Sequence, residues 1–286
     1  MTENVSLSEN SEQLYGGISV TNRRITTRDL IAAKERGDRW PMITSYDALT
    51  AQLFDNAGIP VLLVGDSAAM VVQGHSNTLP ITLDDMIPMV AAVVRGSSRA
   101  LVVADMPFGS YQLSPEQALE CATRFVKEAG AHAVKLEGGA RVRPQVAALV
   151  EAGIPVMGHI GLTPQSVNVL GGYRVQGRGA AADDIIMDAK ALEAAGAFAI
   201  VLEVMPAELA TQITQAVNIP TVGIGAGNQT DAQVLVWQDL LGLTPPPHPR
   251  FLKTYADLRS IMTTAVRQWA DDVTSGEFPS ADQDYR

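Results

Sequence analysis

Short, continuous apolar runs recur along this chain, and several of them follow an Ala-Gly pair. The stretches NAGIPVLLVGD (56–66), EAGAHAVKLEG (128–138), EAGIPVMGHIG (151–161) and AAGAFAIVLEV (194–204) share one order: helix end, glycine, a two-residue turn, an apolar run, then a polar residue. Glycine after a helix supplies the left-handed residue that closes it. Runs that are continuous rather than alternating fit parallel strands covered on both faces. Together with runs that lack the Ala-Gly signal, the pattern predicts strands at 41–46, 61–65, 100–104, 133–136, 155–159, 199–203, 220–225 and 239–243. Helical periodicity and cap residues predict helices at 48–57, 84–95, 115–129, 141–152, 182–195, 206–217 and 230–237, and a C-terminal helix near 254–270.

This alternation, with no low-complexity linker inside it, points to an α/β fold of the (β/α)8 TIM-barrel type rather than a doubly wound sheet. A further helix at 27–36, stopped by Gly37, would precede the first strand and plug the barrel bottom. Residues 1–20 are polar and rich in Ser and Asn, so they read as a mobile N-terminal extension. Residues 21–286 then form a single barrel domain with its C-terminal helix.

Composition narrows the partners. Of the 286 residues 47% are hydrophobic and 18% charged, which fits a folded domain with a large core. A formal net charge of −10 opposes phosphate backbones and anionic lipid, so small molecules are expected rather than nucleic acid or a membrane. The single cysteine, Cys121, lies inside the helical pattern PEQALECATRFVKEAG, which excludes an internal disulfide and a cysteine-based zinc site. No apolar run approaches the roughly 20 residues of a membrane span. The N-terminus lacks the basic-then-apolar order of a signal peptide, and a cytoplasmic protein is expected.

The polar residues fall where a barrel enzyme keeps its chemistry, at the carboxyl ends of the strands. In chain order these are Asp47, Asp66-Ser67, Asp105, Lys135 with Glu137, His159 and Glu203, followed by Gly225-Ala226-Gly227. One acid at a strand end often just caps the next helix. A series at equivalent ends is another matter. Asp66, Asp105 and Glu137 come from three adjacent predicted strands, and three close carboxylates need a cation; hard oxygen ligands suit Mg2+.

His75, His132 and His248 read as structural or solvated, whereas His159 interrupts an apolar strand at the shared height and reads as functional. Lys135 lies two residues before Glu137, so strand alternation turns both the same way. Its buried charge needs an anion, either Glu137 or a substrate carboxylate, and a Schiff base is the less favoured reading beside a metal. Glu203, across the ring from the proposed ligands, is placed to remove a proton next to a metal-held carbonyl, which implies enolate formation at a 2-oxo acid. The segment GGYRVQGRG (171–179) is not a phosphate loop. With Arg174 and Arg178 it either closes over a substrate or packs between subunits.

The stretches VLLVGDS (61–67), VVADMPFGSY (102–111), AVKLEGG (133–139), GHIGLTPQSVN (158–168), GGYRVQGRG (171–179), VLEVMPAELA (201–210) and IPTVGIGAG (219–227) together resemble the ketopantoate hydroxymethyltransferase family over about residues 25–275. The resemblance implies a barrel of the phosphoenolpyruvate mutase/isocitrate lyase type, a homodecamer, Mg2+, and 5,10-methylenetetrahydrofolate as co-substrate. It implies metal binding by Asp66 and Asp105, with Glu137 completing the site directly or through water. Substrate binding by Asp66, Ser67, Asp105, Lys135 and His159 follows from the same motifs, and Glu203 would be the catalytic acid/base. The implied reaction is hydroxymethyl transfer to 3-methyl-2-oxobutanoate through an enolate, in pantothenate and coenzyme A biosynthesis.

The chain departs from the family pattern in three places. Its tail FPSADQDYR (278–286) replaces a Glu-His-Ser-Phe-like ending, TSYD stands for the usual TAYD, and Ala68-Ala69 follow VGDS. PPPHP (245–249) reads as a rigid connector. Two other readings compete: another Mg2+-dependent lyase or mutase of the same superfamily, and a non-catalytic metabolite-binding barrel. The lyases typically carry a strand-end cysteine, which the helical Cys121 does not supply.

Overall fold

The computed structural model describes residues 13–19 and 23–285. The chain divides into a barrel unit, ending at Val236, and a C-terminal unit from Trp237 onward. Eight parallel strands close the barrel: β1 (Trp40–Thr44), β2 (Val61–Val64), β3 (Leu101–Asp105), β4 (Ala133–Glu137), β5 (Val156–Gly161), β6 (Ala199–Glu203), β7 (Thr221–Ile224) and β8 (Ala232–Leu235). β8 pairs with both β7 and β1, and so removes the sheet edges. The helices between strands start and stop where the sequence signals lie. Ser114 caps Pro115–Ala129 by accepting from Gln117 N–H, and Gly130, at φ 75°, closes that helix.

Seven strands and the plug match the expectation. Helix Thr27–Arg36 buries Leu30 and Ala33 in the same apolar cluster as Trp40, Leu101, Ala133, Met157 and Ala199. The eighth strand does not match: the strand expected at 239–243 is a short helix, Trp237–Leu240, ending before Gly242 at φ 69°. The helix expected at 230–237 is instead β8. Asp231 looks like a helix cap in the sequence, but its carboxylate accepts from Thr221 N–H and from Lys34 Nζ, at 2.8 and 3.0 Å. A cap-type residue thus pins the start of a strand to its neighbour and to the plug helix.

The expected N-terminal extension also needs revision. Gln13–Leu14 and Ile18–Ser19 pair as an antiparallel hairpin, and Leu14 and Ile18 are buried in the core cluster. The rest of that expectation, residues 1–12 and 20, lies outside the described residues. In the C-terminal unit, Tyr255 N–H and Leu258 N–H donate to the carbonyls of Leu240 and Leu241, which folds the chain back before helix Leu258–Ser275. Among the described residues no helix is long and apolar enough to cross a membrane.

His132 has the structural role its position suggested. Its Nδ1 accepts from Val102 N–H at 3.1 Å, and burial, then the charge of Arg24, lowers its pKa to about 4. The imidazole is neutral in the fold, while in the unfolded chain it takes up a proton near pH 6.5. Its contribution is therefore complete above pH 6.5 and is lost as the pH falls toward 4. After allowance for its partial exposure we expect about 1–2 kcal/mol to be lost over that range. In His132→Asn, whose amide oxygen can take the Nδ1 role without titrating, urea denaturation should show that part of the acid sensitivity gone.

Candidate active site

Strand register explains why distant residues meet. In the parallel ladder Asp105 lies beside Lys135, Glu137 beside His159, and Gly161 beside Glu203. Each strand thus hands a polar residue to the next around one end of the barrel. Lys135 Nζ stands 2.8 Å from Asp105 Oδ1 and 3.3 Å from His159 Nδ1. His159 reaches both ways, with Nδ1 3.4 Å from Glu137 Oε1 and Nε2 3.0 Å from Glu203 Oε2. Asp66, just beyond β2, donates its N–H to Asp105 Oδ2 at 3.2 Å. Asp66, Asp105, Lys135, Glu137 and His159 are all buried, and Glu203 is only slightly exposed.

Burial first, and then repulsion from Asp105 and Glu137, pushes the Asp66 carboxyl well above its usual range. Asp105 is raised too, because burial and Glu137 outweigh the relief from Lys135. For Glu137 burial is overcome by His159 and Lys135, and its pKa falls. Burial and the neighbouring Lys135 both oppose charge on His159, yet the carboxylates of Glu137 and Glu203, one at each ring nitrogen, lift it to about 9. Four carboxylates, Asp66, Asp105, Glu137 and Glu203, face the two cations Lys135 and His159, an excess of two negative charges when all ionise.

Ser67 joins the site through its neighbour: its Oγ lies 2.9 Å from the hydroxyl of Tyr46, from TSYD, and Tyr46 is buried. Asp47 does not join it. Its Oδ1 accepts from Leu49 N–H and Thr50 N–H, so it caps the next helix, which is the plain role of such a residue.

Glu203 is aimed by its surroundings. Its carbonyl accepts from Leu162 N–H at 2.8 Å. A methyl group on Gly161, which has φ 91°, would come within 2.3 Å of that carbonyl. Val204 follows at φ 46°, a left-handed conformation rare for a β-branched residue, and its carbonyl accepts from Gln176 N–H in the 171–179 loop. Tyr173 of the same loop has its pKa raised by partial burial and then by the charges of Glu203, Asp66 and Glu137, so this loop runs beside the site.

Sequence reasoning missed Gln165. It sits inside the quoted stretch GHIGLTPQSVN, yet its Nε2 donates to Asp66 Oδ2 and its N–H to Glu137 Oε2, both at 3.0 Å. An uncharged residue in a loop carries no charge signal, so only its place within a matching stretch could have marked it.

The donor set suits a hard divalent ion. It is rich in carboxylate oxygen, carries that excess negative charge, and includes buried Asp105 Oδ1 and Glu137 Oε1, which have ion-pair neighbours but no hydrogen bond of good geometry. Among the described residues no three His, Cys, Asp or Glu side chains form a ready-made cage. Mg2+ does not need one, because it usually takes one or two carboxylates and keeps water or substrate oxygens for the rest. Glu137 Oε2 accepts from Gln165 N–H, while its Oε1 lies 3.4 Å from His159 Nδ1 without a hydrogen bond.

A closed parallel barrel with a buried cluster of acids, lysine and histidine at its carboxyl ends has the architecture of a barrel enzyme, and solved structures of similar fold include a member of the phosphoenolpyruvate mutase/isocitrate lyase superfamily. One is 2,3-dimethylmalate lyase, at a TM-score of 0.56 and 18% identity, covering 92% of each chain. Another is phosphonopyruvate hydrolase in complex with oxalate and Mg2+, at a TM-score of 0.58 and 15% identity, covering 91% of this chain and 93% of that one. At such identities the likeness concerns the fold.

Sequence relatives go further. The chain is 64% identical over 273 residues to 3-methyl-2-oxobutanoate hydroxymethyltransferase of Thermobifida fusca (strain YX), covering 95% of this chain and 96% of that protein. It is 61% identical to the enzyme of the same name from Frankia alni (strain DSM 45986 / CECT 9034 / ACN14a), covering 95% and 91%. The family model for ketopantoate hydroxymethyltransferase matches residues 24–281, and the chain belongs to that family. It is a transferase.

Proposed function

We propose that the barrel mouth transfers a hydroxymethyl group from 5,10-methylenetetrahydrofolate to 3-methyl-2-oxobutanoate, with Mg2+ held by Asp66 and Asp105 and Glu137 acting through water. The observation that carries this reading is the Glu203–His159–Glu137 relay beside the Lys135–Asp105 pair, which unites a base, a cation for a substrate carboxylate and hard oxygen donors in one buried site.

Ser67 and Lys135 bind the 2-oxo acid, with His159 lining the pocket. Bound Mg2+ supplies a Lewis acid toward the keto group, making the neighbouring C–H more acidic. Glu203 Oε2 accepts the C3 proton. Its Oε2 stands 3.0 Å from His159 Nε2, and the close approach of Gly161 to its carbonyl fixes its backbone. The low exposure of the surrounding side chains keeps bulk water from the carbanion-like carbon. C3 then bonds to the methylene carbon as its two C–N bonds to the folate break; a water supplies the hydroxyl, and the other proton of that water and the proton held by Glu203 go to the two folate nitrogens, leaving tetrahydrofolate. The 171–179 loop, beside Glu203 through Gln176 and Tyr173, covers the substrate.

Proton NMR of the 2-oxo acid in D2O tests this reading: loss of the C3 proton signal should require enzyme and Mg2+ together and stop on chelation with EDTA. Binding of the acid with neither exchange nor product would overturn it. Assembly as a homodecamer and a cytoplasmic site belong to the same reading. Light scattering that returned a stable monomer of about 30 kDa would overturn the assembly.

A further inference from the structure

Gln165 takes no part in the steps above, yet its amide is fully engaged. It lies in the 3-10 turn Pro164–Ser166 after β5 and is 5% exposed. Nε2 donates to Asp66 Oδ2 at 3.0 Å and to the Met106 carbonyl at 2.9 Å. Oε1 accepts from the Tyr111 hydroxyl at 2.7 Å and from Gln112 Nε2 at 3.2 Å. An amide side chain has two N–H donors and one oxygen with two lone pairs, so this one is saturated. Its orientation is also fixed, because a flipped amide would set its oxygen against the Asp66 carboxylate and the Met106 carbonyl. The backbone N–H of the same residue donates to Glu137 Oε2 at 3.0 Å. Behind it Tyr111, 1% exposed, accepts from Glu137 N–H at 3.1 Å.

We propose that Gln165 is a positioning residue: from the loop after β5 it fixes the carboxylates of Asp66 and Glu137, at the ends of β2 and β4, and so sets the affinity of the site for a divalent cation. The proposal rests on the metal reading above. Asp66 stands beyond the end of its strand, so no ladder pairing holds it in place. The amide, anchored on Met106 and Tyr111, supplies that constraint from outside. Hydrogen-bond partners that orient ligands typically govern metal affinity or activity by about 10–100-fold.

The test uses Mn2+, a hard ion whose free form is counted by electron paramagnetic resonance, added alone to wild type, Gln165→Met, Tyr111→Phe and the double variant. Gln165→Met keeps the length of the side chain without donors or acceptor. It should weaken Mn2+ binding about 10–100-fold, and its lost turnover should return in part at high Mg2+. Tyr111→Phe should weaken binding less, and the double variant by less than the sum of the two, because the tyrosine reaches Asp66 only through the amide although it also touches the Glu137 backbone. A role confined to stability would lower the melting temperature of the metal-free protein and leave Mn2+ affinity unchanged.

Equal affinity in wild type and Gln165→Met overturns the proposal while leaving the metal reading intact. Strictly additive losses in the double variant overturn the route through Gln165. If Gln165→Met does not fold, unchanged Mn2+ affinity in Tyr111→Phe overturns the proposal instead. A wild type that binds no Mn2+ overturns the metal reading and the proposal with it.

Discussion

Glu203→Gln is expected to abolish C3 proton exchange in the 2-oxo acid while leaving its binding nearly intact. The substitution keeps the shape of the side chain, and its amide oxygen can occupy the place of Oε2, 3.0 Å from His159 Nε2. What it removes is the ability to take a proton. A positioned general base contributes about 10²–10⁴-fold, so turnover and exchange should fall together by that factor. Deuterium incorporation followed by proton NMR, with the acid's affinity from calorimetry, separates the two effects. Loss of exchange with a near-normal Kd supports the base; a variant that exchanges at the wild-type rate removes Glu203 from that role. Loss of binding alone would instead make Glu203 a contact for the substrate.

Glu203 stood out in the sequence because β6 is an uninterrupted apolar run ending in one acid, AIVLE, and the structure brings it beside His159. The same clarity holds for Asp105, Lys135, Glu137 and His159, each a polar residue in a strand that is otherwise apolar. A charge that the pattern forbids is the strongest signal a buried site can leave. Three features escaped for physical reasons. β8 is only four residues long and is introduced by Thr230-Asp231, residues that usually start helices, so local propensity pointed the wrong way until Lys34 and Thr221 claimed the aspartate. The hairpin at 13–19 is two residues per strand, and it is held by burying Leu14 and Ile18 in the core rather than by any periodicity. Gln165 is neutral, and its importance lies wholly in which loop meets which strand end. Tertiary contacts decided all three.

Lys135→Met is expected to cost stability and activity by separate routes. The ammonium is buried, 2.8 Å from Asp105 Oδ1, and removing it leaves an uncompensated carboxylate beside Asp66 and Glu137. Breaking a buried pair from one side typically costs about 3–5 kcal/mol. Without the lysine, Asp105 can relieve part of this by holding a proton in the folded state. Its pKa, already raised by burial, then stands further above that of the unfolded chain, so the folded state binds more protons and the deficit grows as the pH rises through that value. Adding Asp105→Asn should restore most of the stability in urea denaturation, since the amide oxygen can still accept from Asp66 N–H and no buried charge is stranded. Activity should not return in the double variant, because on the proposed mechanism the cation for the substrate carboxylate is still missing and a proposed metal ligand has been lost. Recovered stability without recovered turnover would divide the duties of Lys135 between the fold and the substrate. If the double variant stayed as unstable as Lys135→Met, the lysine would be stabilising the barrel through its packed methylene stem, and the ion pair would matter only for chemistry.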